Sequence, residues 1–110
     1  DITIQGSYTQ TVSGMLTMEL GIAVQDFLTV TGTAALTGTL EINLLEGYTP
    51  ASPDSFQILA YTNHTGEFGT LRLPTLSRGL GWDVVYEPNG VYAQVAQKEY
   101  FLYLPIAIKP

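Results

Sequence analysis

The chain has 110 residues, with 10 acidic against 4 basic side chains, a net charge of −6 and no cysteine. That length supports one domain with a core of its own. The acidic balance leaves no electrostatic footprint for nucleic acid or an anionic membrane surface, and the lack of cysteine excludes disulfides, thiolate metal sites and cysteine nucleophiles.

Only 13% of the residues are charged, and abundant Thr, Ser, Gly and Tyr accompany them, a composition that points to an extracellular β protein. The sequence opens at Asp1 with neither Met nor an apolar signal segment. The expectation is a mature chain, extracellular or at the cell surface after signal-peptide removal.

Alternation of period two runs through the chain and no segment keeps a 3.6-residue apolar period, so every predicted element is a strand. Residues 1–5 come first, with Ile2 and Ile4 alternating with Thr3 and Gln5. Leu16, Met18 and Leu20 then alternate with Thr17 and Glu19, and Asp26 introduces Phe27-Leu28-Thr29-Val30. Leu40, Ile42 and Leu44 alternate with Glu41 and Asn43, and Asp54 introduces Phe56-Gln57-Ile58-Leu59-Ala60.

Turns are predicted at Ser13-Gly14, Thr37-Gly38, Glu46-Gly47 and Asn63-His64-Thr65-Gly66, where Gly and Asn permit tight reversals. The clearest hairpin joins Trp82–Tyr86 to Val91–Val95 through Glu87-Pro88-Asn89-Gly90. Last comes the apolar run Tyr100–Ile108, about half the length of a membrane helix and interrupted by Pro105. It reads as a strand, so membrane insertion is not expected.

These strands repeat. Gly14-Met15-Leu16-Thr17-Met18-Glu19-Leu20 recurs as Gly38-Thr39-Leu40-Glu41-Ile42-Asn43-Leu44 and, shortened, as Gly69-Thr70-Leu71-Arg72-Leu73. The spacings, 24 residues from Gly14 to Gly38 and 31 from Gly38 to Gly69, lie in the range of stacked repeats. The expected fold is all-β, a short parallel β-helix-like stack closed by antiparallel hairpin strands, with an antiparallel β-sandwich or jelly roll as the alternative. One domain spans residues 1–110: an N-terminal strand (1–5), a β core (6–97) and an apolar C-terminal strand (98–110).

The repeat also predicts a register. Leu16, Leu40 and Leu71 should form one buried column, while Thr17, Glu41 and Arg72 should form an outward column in which Glu41 and Arg72 pair as opposite charges.

The runs Gly6–Gln10 and Gly14–Leu16, then Asp26–Leu40, Phe56–Leu59 and Gly66–Phe68, resemble the last coils of β-helical autotransporter-passenger and adhesin-like proteins of bacterial surfaces. The segment Tyr103–Lys109 is similar to the aromatic-Leu-Pro endings of some secreted bacterial proteins. The resemblance implies a β-helix ending in a closing hairpin, and a secreted, structural or adhesive role.

Catalysis is not expected. His64 is the sole histidine and reads as an exposed turn residue, so neither a Ser-His-Asp triad nor a histidine metal site can be assembled. Asp26, Asp54 and Asp83 read as solvated carboxylates at strand starts rather than an acid–base pair. No calcium-loop spacing occurs, so no metal and no cofactor are expected.

Trp82, Tyr86 and Tyr92 form either a ligand platform for a sugar ring or an aromatic cap over the open end of the core. The apolar run Tyr100, Phe101, Leu102, Tyr103, Leu104, Ile106 and Ile108 must be covered, by its own core or by a neighbouring subunit, with Ile2 and Ile4 as a second set of assembly residues. The expected function is a secreted structural protein that self-assembles into an extracellular filament or sheath by strand addition and head-to-tail stacking. The expected partner is a second copy of itself. A carbohydrate-binding or adhesive module, with extracellular polysaccharide as partner, is the alternative reading.

Overall fold

The computed structural model describes residues 2–22 and 25–98. Three successive coils each contribute three strands. The first holds β1 (Ile2–Ile4), β2 (Tyr8–Thr9) and β3 (Met15–Leu20); the second holds β4 (Leu28–Val30), β5 (Thr33–Leu36) and β6 (Thr39–Leu44). The third holds β7 (Ser55–Ala60), β8 (Asn63–Gly66) and β9 (Thr70–Arg72), and the hairpin β10 (Leu80–Glu87) and β11 (Gly90–Gln97) follows.

Like strands stack in parallel. One sheet runs β1-β4-β7-β11-β10, with its last two strands antiparallel; β2-β5-β8 and β3-β6-β9 form the other two sheets. The architecture is therefore an all-β parallel stack closed by an antiparallel hairpin, and the sandwich alternative is set aside.

The sequence repeat sets the register because a slip of one residue would turn every apolar side chain to solvent. Leu16 pairs with Leu40 and Leu40 with Leu71, while Thr17, Glu41 and Arg72 form the neighbouring outward column. Inside, Leu20, Leu40, Ile42, Ile58 and Leu59 are fully buried. The repeated glycine marks a corner where coils approach closely. Gly38 adopts φ +74°, and a Cβ there would lie 2.5 Å and 2.6 Å from the carbonyl oxygens of Thr11 and Gly14. Any side chain would push successive coils apart.

Gln10 is the one buried polar residue among those described, and its amide is fully used at the same corner. Its Nε2 donates to the carbonyls of Thr37 (2.8 Å) and Thr39 (3.1 Å), while its Oε1 accepts from Tyr8 Oη at 2.7 Å. A buried amide satisfied in this way ties two coils together without the penalty of an orphaned group.

Four expectations are corrected. Leu71 sits in the predicted column but is 45% exposed, because β9 ends its sheet and no described strand covers it. Glu41 and Arg72 are neighbours but form no ion pair; Glu41 instead accepts from Thr17 Oγ1 on the preceding coil at 3.2 Å. Asn63–Gly66 is strand β8 rather than a turn. Asp83 lies within β10, not at a strand start, and pairs with Lys98 Nζ at 2.7 Å.

Candidate functional site: the free edges of the stack

Each sheet of an open stack ends in strands with unpaired N–H and C=O groups, and these edges are where another chain can add. The two ends differ. At the first coil, β1, β2 and β3 each have a strand partner on one side only. A hollow of about 190 Å³ opens at this end, lined by Ile2 of β1, by Leu16, Thr17 and Met18 of β3, and by Asp26, Phe27 and Leu28.

Exposed apolar side chains gather at this end. Five large hydrophobics are exposed among the described residues: Ile2, Val12, Met15 and Ile22 belong to the first coil or its exit, Leu71 to the third, and none to the second. Of the two N-terminal assembly candidates, Ile2 is 66% exposed, whereas Ile4 packs against the chain's own core.

The segment after β3 turns back and covers part of that strand's edge. The Glu19 N–H donates to Asp26 Oδ2 and the Glu19 C=O accepts from the Asp26 N–H, both at 2.9 Å, and Leu20 and Gln25 form an antiparallel bridge. Asp26 therefore occupies the outward backbone groups of Glu19. Asp54 plays a different part: its carboxylate accepts from the Ala51 N–H and closes the turn before β7.

The hairpin closes the third coil. Trp82, Val84 and Tyr86 pack against the core, and their ladder partners Val95, Ala93 and Val91 are buried. Trp82 donates its Nε1–H to the Pro74 carbonyl at 2.9 Å, and Tyr86 Oη accepts from the Phe68 N–H at 3.0 Å. Two aromatic side chains thus fasten the hairpin to segments flanking β9.

Tyr92 pairs with Val85, one step out of phase with Trp82 and Tyr86, and so faces the opposite side of the sheet. A single platform of Trp82, Tyr86 and Tyr92 is overturned. The cap reading describes Trp82 and Tyr86.

His64 is also corrected, since it is half-buried rather than an exposed turn residue. Its ring lies between Tyr61 and Tyr86, at centroid distances of 4.8 Å and 5.7 Å, and its Nδ1 is 3.2 Å from the Gly66 carbonyl oxygen. Nearby, Tyr61 donates its hydroxyl to the Glu87 carbonyl at 2.7 Å. Burial, with the charges of Tyr86, Glu87 and Tyr92 adding to it, pushes the Tyr61 hydroxyl up to about 12. Among the described residues no three His, Cys, Asp or Glu side chains gather where a metal could bind, and no helix is long and apolar enough to cross a membrane.

Among the described residues the longest sheet edge belongs to β10, eight residues at the end of its sheet whose one described strand partner is β11. Sequence reasoning found the hairpin but not this edge. The signal was present in strand count: an outer hairpin strand has one neighbour. The expected assembly residues Tyr100, Phe101, Leu102, Tyr103, Leu104, Ile106 and Ile108 lie outside the described residues.

Comparison with known proteins returns no match: no protein-family model, no curated protein and no solved structure is similar to this chain.

Proposed function

We propose that this chain is a secreted structural protein whose copies join into an extracellular filament or sheath by adding strands to one another's free edges. The observation that carries this reading is the contrast between a third coil covered by the hairpin and the long free backbone edge that the hairpin presents. Trp82 and Tyr86 cover the third coil and Asp26 occupies part of the first, while β10 offers eight residues of edge. Direct stacking of one coil face on another, the second half of the sequence-based expectation, therefore receives less support than strand addition. A contact in which each copy gives one strand and receives another propagates as a fibre unless it closes on itself.

Low charge together with abundant Thr, Ser, Gly and Tyr accords with an extracellular setting. The carbohydrate-module reading loses support because its three aromatics do not share a face. Sedimentation and negative-stain microscopy of the purified full chain test the proposal. Concentration-dependent polymers are expected, and a strictly monomeric 11.9 kDa species up to high protein concentration would overturn it.

A further inference from the structure

We infer that the outer edge of β10 is the acceptor for the apolar run Tyr100–Ile108 of a second copy, added as an antiparallel strand; this rests on the strand-addition reading above. The backbone phase of β10 is fixed by its neighbours. The Val95 N–H points to the Asp54 carbonyl on the β7 side, and the Lys98 N–H points to Gly79 on the β10 side. Alternation then directs the N–H and C=O groups of Gly81, Asp83 and Val85 toward β11 and those of Trp82, Val84 and Tyr86 away from it. No described backbone group meets these three residues from outside.

The run has a phase of its own, because Pro105 has no N–H and must face away from any ladder it joins. Leu102, Leu104 and Ile106 then carry the backbone groups that meet β10. In an antiparallel ladder, hydrogen-bonded partners stand opposite each other and point to the same face. Leu102, Leu104 and Ile106 therefore fall on the face of Trp82, Val84 and Tyr86, which is the core side. Tyr103, Pro105 and Ala107 fall on the outer side. One proline and one hairpin register together sort the aliphatic residues inward, and the nine-residue run matches the eight-residue edge in length. Pro105 on the new outer edge would blunt further addition there.

The antiparallel direction calls for a donor from another copy. Within one chain the run departs from Lys98, beside the Gly79 end of β10, and would have to lie parallel to β10. A run from another copy has no such constraint and can take the antiparallel direction.

Because the chain has no cysteine, single-cysteine variants of the full protein give a clean readout. Val85→Cys and Tyr103→Cys, both on the outer face and in the non-hydrogen-bonded phase, are mixed and oxidised, with Asp83→Cys as a second acceptor to allow for register. A disulfide-linked pair of chains is expected in a mixture with Tyr103→Cys and much more weakly in either variant alone. Equal linking by Val85→Cys alone would mean that β10 pairs with its own copy, and preferential linking of Tyr103→Cys to Ile2→Cys would move the acceptor to the first coil. Either outcome overturns the inference. Polymers that form without any β10 cross-link sink this assignment alone, whereas absence of polymers sinks the strand-addition reading with it.

Discussion

At the first coil the stack ends in short strands around an open hollow, whereas at the third coil it ends beneath a hairpin fastened by two aromatic side chains. One apolar column shows the effect: Ile2 is 66% exposed, Leu28 5% and Leu59 0%, although the three occupy equivalent ladder positions. Sequence equivalence thus gives equal placement but unequal stabilisation, because burial depends on what covers each rung. The covered end holds the molecule together. The open end and the hairpin's outer edge are the surfaces that the described strands leave without a neighbour.

The largest test of this contrast is truncation along the column. Leu59→Ala should cost about 2–5 kcal/mol in urea denaturation, the range for a fully buried leucine, while Ile2→Ala should stay within about 0.5 kcal/mol. Similar losses at both sites would mean that the first coil is covered in solution.

Alkaline pH probes the capped end through Tyr61. Its folded-state value of about 12 exceeds the ordinary tyrosine value of 10, so its proton is held more tightly in the folded chain. The resulting stabilisation is complete below about pH 10 and is lost as pH rises toward 12, at about 1.4 kcal/mol per pH unit, on the order of 3 kcal/mol in all. Tyr61→Phe should flatten that decline. An unchanged slope between pH 10 and 12 would assign the alkaline sensitivity to other groups.

Asp26→Ala removes the carboxylate that accepts the Glu19 N–H at the open end. A loss of about 1–2 kcal/mol is expected, together with greater self-association as the β3 edge is released. Loss of stability with no rise in association, measured by sedimentation velocity, would show that Asp26 shapes a turn and does not guard an edge.

A smaller effect belongs to His64→Ala, which should cost about 1 kcal/mol through its lost contacts with Tyr61 and Tyr86. That exceeds the near-zero effect expected of an exposed turn residue. A change below about 0.3 kcal/mol in thermal or urea unfolding would show that the ring contacts contribute little, within the usual scatter of surface substitutions.

The repeat in the amino-acid sequence determined the strands of the third sheet and their partners, because alternation and a recurring glycine admit one register that keeps Leu16, Leu40 and Ile42 inside. The hairpin was equally legible, since Pro88-Asn89-Gly90 between alternating segments encodes its own reversal locally. Where the hairpin docks was not encoded locally. The hairpin's register also sets Tyr92 on the face opposite Trp82 and Tyr86, whereas only the tertiary structure decided that His64 is enclosed by tyrosines from β10 and the residue before Thr62, and that Leu71 is exposed. The physical reason is common to both: alternation fixes which side of a strand a residue takes, but exposure and contact depend on which distant element lies over that side.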